Sequence, residues 1–378
     1  MVHDVALVLG GGGAAGQAWQ IGVIAGLAEA GLDLTEAADL VVGTSSGSTT
    51  AAQVRSGIPA AELLASVLSP PVQPAGQNRE QPPSLPMATV FERMRTIGAA
   101  ATSAADLRRA MGAFGLESDS VLEPTAGQRR AMVAARLPHA EWPDRPMIVV
   151  AVDVHTGELA AFDRDSGVDL VDAVTASTAL PGLTPTHSIN GTRYINGGVR
   201  SGENADLASG YANVVVLSPF GGRNRTPKER GADPAGQFEG LRKFPGADLA
   251  SQVEALRKQG SHVEVITPDA GSRAAMGTNQ MDPATRIPAR PCRFRPRQAG
   301  SGPRDVPLTT AASRPLRGRL YRAGLAVFVR AGRICPHPRP DEAGAGSSGR
   351  IGCFAARRGL CFACCASLGT AGAGALAR

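Results

Sequence analysis

Two stretches near the start of the chain decide the fold: VALVLGGGGAAG at residues 5–16 and LVVGTSSG at residues 40–47. Each begins with an apolar run, as expected of a strand buried on both faces, and each run leads into glycines. In the second stretch the glycines flank a serine, in the pattern Gly43-x-Ser45-x-Gly47. A strand that passes through Gly-x-Ser-x-Gly into a helix is typical of a nucleophile elbow, whose sharp turn exposes the serine hydroxyl.

The glycine loop at residues 10–16 supplies what a serine nucleophile needs beside it. Glycines leave backbone N–H groups uncovered, and such amides stabilise the negative charge that develops on a carbonyl oxygen under attack. The helix predicted from Gln17 to Ala30 adds the positive end of its dipole next to the loop. The two stretches together predict acyl transfer to water, with Ser45 as the nucleophile.

Dinucleotide binding is an alternative interpretation of the first loop, because Gly11-x-Gly13-x-x-Gly16 also fits that fingerprint. The dinucleotide fold requires a second strand that ends in an acidic residue about 20 positions further on. Asp33 stands at roughly that distance, but it precedes the second strand, and that strand ends at Ser45. The elbow is therefore the favoured interpretation.

Later segments predict an α/β architecture. Apolar runs suited to buried strands are PMIVVAV at residues 146–152, VVVL at 214–217 and VEVI at 263–266. Helical spacing is expected over residues 46–55, 87–137 and 247–259. Strands that alternate with helices predict a three-layer α/β/α sandwich around a mainly parallel sheet. Asn190-Gly191 predicts a hairpin turn between two strands, and this hairpin would bring Asn196 to the edge of the site.

The order of these motifs resembles that of the patatin-like phospholipases. The likeness covers residues 1 to about 290 and includes the two glycine motifs, DVHTGE at 153–158, ASTALPGL at 176–183 and NGG at 196–198. It implies the patatin-like fold, Ser45 as nucleophile, and the amides of Gly11, Gly12 and Gly13 as oxyanion donors. It also implies a lipid ester as substrate and no metal or organic cofactor.

One position departs from the family pattern in a way that bears on catalysis. The family places an aspartate ahead of two small residues, as the partner of the serine, where this chain has Asn196. An amide has no useful basicity near neutral pH, and general-base assistance contributes a factor of about 10² to 10⁴. The expected function is therefore a weak lipid acyl hydrolase of the phospholipase or esterase type. The alternative is a lipid-binding pseudoenzyme on the same fold.

Other groups are candidates for the missing base. Asp153 ends a predicted strand, and Glu203 and Asp206 closely follow the Asn196 loop, although a solvated carboxylate or a helix cap is the more ordinary role for each. Asn196 also precedes Gly197, a pairing in which asparagine readily deamidates to aspartate.

A histidine-based triad is a further route to activating the serine, because the α/β-hydrolase order places the histidine after the nucleophile. His155, His187 and His262 all follow Ser45, but none lies in a recognisable motif.

A helical insertion is expected between the two halves of the sheet. Residues 69–86 are rich in proline and glutamine and predict a linker, and residues 69–140 together predict a linker with a lid-like helical region. Five residues form an apolar stripe at helical spacing: Met87, Val90, Phe91, Met94 and Ile97. Such a stripe usually belongs to the core, and the alternative is that it lines the entrance for an acyl chain.

The last quarter of the chain differs sharply in composition. Residues 291–378 contain all six cysteines, 15 arginines, no lysine and three acidic residues, a net charge of +12 that leaves −6 for residues 1–290. We expect a disordered or non-native tail after the hydrolase domain at residues 1–290. One alternative is a tail that binds anionic lipid or nucleic acid, but aromatic residues are not interleaved with its charges. The other is a metal site at Cys361-x-x-Cys364-Cys365, but no second pair of ligands stands at a suitable spacing. We therefore expect no nucleic-acid partner.

The chain shows no charged segment followed by an apolar one at its start, and no run of about 18 apolar residues. The sequence therefore predicts a cytoplasmic protein whose contact with membranes is at most peripheral.

Overall fold

The computed structural model describes residues 4–69, 83–221 and 244–277, together with Met281 and Thr285. The predicted tail at 291–378 and most of the predicted linker lie outside the described residues.

Strands and helices alternate along the described part of the chain. The strands are β1 Val5–Leu9, β2 Leu40–Thr44, β3 Met147–Asp153, β4 Leu159–Phe162, β5 His187–Ile189, β6 Thr192–Asn196, β7 Asn213–Leu217 and β8 His262–Ile266. The helices are α1 Gly13–Glu29, α2 Leu34–Ala37, α3 Ser46–Val54, α4 Ala60–Leu68, α5 Met87–Ala100, α6 Ala104–Leu122, α7 Ala126–Ala134, α8 Leu170–Ser177, α9 Leu249–Lys258 and α10 Ala270–Met276. Short 3₁₀ turns lie at Glu123–Thr125, Gly197–Val199 and Ala205–Ala208.

The strands form one mixed sheet in the order β5-β6-β3-β2-β1-β7-β8, with β4 paired to β3. The strands from β3 through β2, β1 and β7 to β8 are parallel, whereas β4, β5 and β6 join by antiparallel pairing. Helices cover both faces of this sheet. The predicted fold, a three-layer α/β/α sandwich with a mainly parallel sheet, is confirmed.

The central strands are apolar throughout because both of their faces are buried. All five residues of β1 are buried. Leu7 packs in the core that includes α1, α3, α4 and α8, whereas Val8 packs in the opposite core with α9. Side chains alternate between the faces of a strand, so both alternate sets must be hydrophobic when helices lie on either side.

The predicted hairpin is present, with β5 and β6 joined through Asn190 and Gly191. Both turn residues have positive φ, 51° and 84° respectively. This combination defines a type I′ turn, whose twist matches that of the flanking strands.

Helix α1 begins at Gly13, four residues earlier than predicted. The prediction treated the glycines as loop because glycine is a poor helix former. Tertiary contact overrides that preference here, since Pro219 packs so closely against Gly12 and Gly16 that side chains would not fit comfortably at either position.

The predicted helical region at 87–137 consists of α5, α6 and α7. In the apolar stripe, Val90, Phe91 and Met94 are buried with side chains of α6, β3 and β6, whereas Met87 is 39% exposed. The core interpretation therefore holds for most of the stripe. Among the described helices, none is both long enough and apolar enough to cross a bilayer.

Candidate active site

Ser45 occupies a sharp turn between β2 and α3, with φ 56° and ψ −126°. Positive φ is unfavourable for a residue with a side chain, so the surrounding structure must hold this conformation. Side chains are excluded on either side of it: a Cβ at Gly47 would overlap the carbonyl oxygen of Leu9, and one at Gly43 would overlap the start of α3. The Ser45 N–H donates to Ser177 Oγ at 2.9 Å, which fixes the turn from a third direction.

The glycine loop lies directly against Ser45. A Cβ placed on Gly11 would be 3.3 Å from the Cβ of Ser45. Two of the three predicted oxyanion donors already have acceptors: Gly11 N–H donates to the Gly202 carbonyl at 2.8 Å, and Gly12 N–H donates to Ser46 Oγ at 2.9 Å. An oxyanion on the Gly12 amide would therefore have to share it with, or displace, the Ser46 hydroxyl.

Gly13 completes the loop as the first residue of α1, with φ 61°. This conformation favours glycine. The amides in the first turn of a helix have no acceptor within the helix itself, and the helix dipole favours negative charge there. The oxyanion role of Gly11, Gly12 and Gly13 remains a prediction, and Gly13 is the member whose position best suits it.

Asn196 reaches Ser45 through the register of the sheet. Thr44, at the end of β2, pairs with Val150, and Asn196, at the end of β6, pairs with Ala151. The two partners are adjacent in β3, so Ser45 and Asn196 stand at the same level of the sheet on either side of β3, and their side chains meet across it. Asn196 Nδ2 donates to Ser45 Oγ at 2.9 Å.

The orientation of the Asn196 amide is determined by its other end. Asn196 Oδ1 accepts the N–H of Gly198 at 2.8 Å, so the oxygen faces the backbone and the NH₂ group faces Ser45. The side chain is 5% exposed. Because the group toward Ser45 is a donor without basicity, Asn196 orients the hydroxyl and does not accept its proton.

Ser45 opens onto a cavity of about 280 Å³. The sequence-predicted residues Ser45, Asn196, Gly11, Gly12 and Gly13 all line it. An apolar wall comes mainly from α5, α6 and the segment after α8, with these side chains: Met94, Leu107, Met111 and Leu180. A polar wall comes mainly from α1, α3 and α7, with these: Gln17, Thr49, Arg129 and Arg136. Met94 is thus the one residue of the predicted stripe that reaches the cavity.

The three candidate carboxylates have different environments. Asp153 Oδ1 accepts the N–H groups of His155 and Thr156 at 2.8 and 2.9 Å, and so caps a turn. Asp206 is ion-paired with Arg200, with oxygens at 2.5 and 3.0 Å. Glu203 is buried and lines the cavity, and it accepts a hydrogen bond from Ser218 Oγ at 2.6 Å. Of the three, only Glu203 lines the cavity onto which Ser45 opens.

The candidate histidines have other surroundings. His187 Nε2 lies 2.9 Å from Asp172 Oδ1, and burial lowers the pKa of His187 in spite of that carboxylate. His262 lies 3.8 Å from Glu264 on β8. Within the described part of the chain, no histidine lines the cavity around Ser45.

Asp33, the acidic residue on which dinucleotide binding depended, caps the short helix α2. Its Oδ1 accepts the Thr35 N–H at 2.9 Å. The carboxylate is therefore engaged in a local turn before β2, and the end of β2 carries the serine turn instead.

Sequence reasoning missed the roles of Ser177, Ser46 and Arg129. Ser177 lies in the ASTALPGL segment, but its contact with the Ser45 amide joins residues 132 positions apart. Ser46 was visible only as a residue of the elbow. Arg129 had no local motif around it that would have predicted a place in the cavity.

A family model described as patatin-like phospholipase matches residues 7–209, whereas a sequence comparison with curated proteins found no significant match. Among solved structures, the chain is similar to VipD from Legionella pneumophila, with 13% identity and a TM-score of 0.32, over 76% of this chain and 67% of that one. It is also similar to the type III effector protein ExoU, with 17% identity and a TM-score of 0.30, over 76% of this chain and 52% of that one.

The chain therefore spans about half the length of ExoU. The family model covers more than half of this chain, from within the first strand to just past the 3₁₀ turn at Ala205–Ala208. The matched segment contains the glycine loop, the serine turn and the Asn196 loop. The chain belongs to the patatin-like phospholipase family.

Proposed function

We propose that this protein is a serine-dependent hydrolase of carboxylic esters that acts on lipids, with Ser45 as its nucleophile. One observation carries the proposal: the Ser45 hydroxyl stands on a strained turn, in the lining of a cavity bounded by helices, against a loop of glycines. Strain of this kind persists only where the surrounding structure enforces it, and it is frequent at sites of chemistry.

In the proposed reaction, Ser45 Oγ attacks the ester carbonyl carbon and forms a tetrahedral intermediate. The oxyanion is stabilised by glycine-loop amides, foremost that of Gly13 at the start of α1. The intermediate collapses to an acyl-serine as the carbon–oxygen bond to the leaving alcohol breaks, and the serine proton passes to that alcohol. Water then cleaves the acyl-serine, releasing the fatty acid and restoring the hydroxyl.

In the proposed reaction, we expect removal of the Ser45 proton to limit the rate. Asn196 presents a donor to Ser45 Oγ, so a base must come from water or from another cavity group such as Glu203. Removing one member of a catalytic triad still leaves catalysis from the oxyanion donors and binding. We therefore propose a weak activity.

A second candidate function is lipid binding without turnover. The observation that favours it is the same Asn196 Nδ2 contact, because a donor facing Ser45 Oγ occupies a lone pair of the nucleophile and cannot accept its proton. Either function is consistent with contact at the surface of a membrane, since the apolar wall of the cavity suits an acyl chain.

A fluorophosphonate probe separates the two functions, because it modifies only an activated serine. Labelling of the full chain is expected for the wild type and for Ser166→Ala, which removes an exposed hydroxyl that does not line the cavity. Ser45→Ala should abolish labelling, and with it hydrolysis across a panel of lipid esters. A wild-type chain that binds lipid but never labels would establish the second function, and labelling that survives Ser45→Ala would overturn the first.

A further inference from the structure

Arg129, on α7, is a cavity-lining cation that has no carboxylate partner among the described residues. Its Nη2 donates to Thr178 Oγ1 at 2.9 Å and to the Thr178 carbonyl at 3.3 Å. Its Nε is enclosed without a hydrogen-bond acceptor in the described part of the chain. A buried charge normally has a charged or fully hydrogen-bonding partner, so this environment is unusual for a guanidinium.

The next residue on the same helix has the opposite environment. Arg130 forms a two-point contact with Asp172, with Nε at 2.6 Å and Nη2 at 3.0 Å from the carboxylate oxygens. Arg130 does not line the cavity around Ser45. Helix α7 therefore carries one paired arginine outside the cavity lining and one in the lining that has no anionic partner among the described residues.

A second buried arginine shows what a purely structural role looks like here. Arg55 also has an enclosed Nε without an acceptor among the described residues. Its terminal nitrogens, however, bond to the carbonyl oxygens of Thr35, Ala38 and Pro146, at 3.3, 3.0 and 3.2 Å. Arg55 thus ties α2 and the residue after it to the segment before β3, away from the cavity. Arg129 donates to Thr178 and, over a longer distance of 3.8 Å, from Nη1 to Met132 Sδ, and it lines space that a ligand can occupy.

The charge near Arg129 adds to this contrast. Burial, followed by the neighbouring Arg136, lowers the pKa of Arg129 to about 10, so it remains protonated at neutral pH. Arg136 lines the same cavity. Two cations on one wall raise the local positive potential, which an anion would relieve.

Two carboxylates also line the cavity, and each accepts a hydrogen bond from a residue outside α7. Glu203 accepts from Ser218, which follows β7, and Asp248 caps α9 through Ser251. A third lining cation, Arg200, is paired with Asp206. The lining of the cavity thus combines Arg129 and Arg136 with apolar side chains of α5 and α6 and with Ser45.

We propose that Arg129, with Arg136 beside it, is an anion subsite that selects ester substrates carrying a phosphate over neutral esters. The guanidinium fork matches a phosphate in two-point contact. In this arrangement the acyl chain lies along the apolar wall and the scissile carbonyl at Ser45. Turnover of such a substrate rests on the proposed hydrolase function, but its binding does not.

Calorimetric titration of the full chain with dihexanoyl phosphatidic acid below its micelle concentration tests the subsite. Monomeric lipid is used because the basic tail would attract anionic vesicles regardless of the cavity. Arg129→Gln should weaken binding at least about tenfold, the loss expected for charge-assisted hydrogen bonds. Arg130→Gln, which removes the same charge one residue away, should change the affinity less than twofold, and Arg129→Lys should fall between the two.

Two further ligands distinguish the sources of the anion. Dihexanoylglycerol, which has the same acyl chains without phosphate, should bind the wild type and Arg129→Gln equally. Inorganic phosphate should bind at least about tenfold more weakly than the lipid, because it lacks the apolar contacts.

Several outcomes would overturn the proposal. One is no binding of phosphatidic acid by the wild type, another is an equal loss in Arg129→Gln and Arg130→Gln, and a third is a loss of dihexanoylglycerol binding in Arg129→Gln. Inorganic phosphate binding as tightly as the lipid would assign the subsite to free phosphate instead. If phosphatidic acid binds as expected but neither lipid is hydrolysed, the hydrolase proposal fails and the subsite stands.

Discussion

Ser45 is held on its two sides by different kinds of structure. On the glycine side, backbone packs against backbone: Gly47 lies against Leu9, and Gly11 lies against Ser45 itself. On the opposite side, a single side-chain contact from Asn196 reaches the hydroxyl. The glycine side fixes the position of the Ser45 hydroxyl, because side chains at these glycines would not fit. In the proposed reaction, the Asn196 side determines whether the proton of that hydroxyl has an acceptor.

The largest effect is expected from breaking the glycine side with Gly47→Ala. The new methyl would overlap the Leu9 carbonyl oxygen, and overlap with backbone is not relieved by a rotamer change. We expect unfolding to become easier by about 3 kcal/mol or more, measured as a lower midpoint in denaturant titration. Gly26→Ala is the matched control, because a Cβ there meets nothing within 4 Å and a helical alanine is favourable. Equal midpoints for the two variants would contradict the packing described here.

The next largest effect is expected on ester turnover, from a substitution of Asn196. Asn196→Asp replaces the Nδ2 donor toward Ser45 with a carboxylate oxygen, while the other oxygen still accepts the Gly198 N–H. Ester turnover should rise at least about tenfold, in keeping with typical general-base contributions. Asn190→Asp makes the same chemical change in the hairpin turn and should leave kcat unaltered. An unchanged rate in Asn196→Asp would mean that another group, such as Glu203, already serves as the base.

The smallest effect on turnover is expected from the hydrogen bond between the Ser45 N–H and Ser177 Oγ. Ser177→Ala removes the acceptor of the Ser45 N–H, an ordinary neutral hydrogen bond worth about 1 kcal/mol. We expect kcat to fall about threefold to tenfold, with KM for a short-chain ester little changed. Ser166→Ala, in an exposed turn, is the comparison. A rise in KM with constant kcat would show that Ser177 shapes the binding surface and not the nucleophile.

The parts of the site that could be predicted are those specified by a few consecutive residues. The elbow around Ser45 and the Asn190-Gly191 hairpin each depend on conformations that few residue types adopt, so a few adjacent residues are enough to predict them. The start of α1 was predicted four residues late, because the contact of Pro219 with Gly12 and Gly16 is invisible in the local sequence. A prediction from local sequence takes account only of the low intrinsic helix propensity of glycine.

The chemical details of the site were less accessible. The sequence identified Asn196 as the partner of Ser45 only through resemblance, and it did not indicate that Oδ1 would be engaged by Gly198. Nor did it indicate that Ser46 would accept the Gly12 amide. Each of these contacts depends on how a side chain is oriented toward its neighbour. The spacing of residues in the sequence does not specify that orientation.

By itself, the sequence determined the α/β class, the serine turn and the glycine loop beside it, because hydrophobic periodicity and glycine conformations act over a few residues. Only the tertiary structure decided that Asn196 donates to Ser45, that Ser177 accepts from the Ser45 amide, and that Arg129 lines the cavity with no carboxylate partner in the part of the chain that the structure describes. These contacts join residues far apart in the chain, and their energies depend on burial and orientation, which exist only once the sheet and its helices have packed.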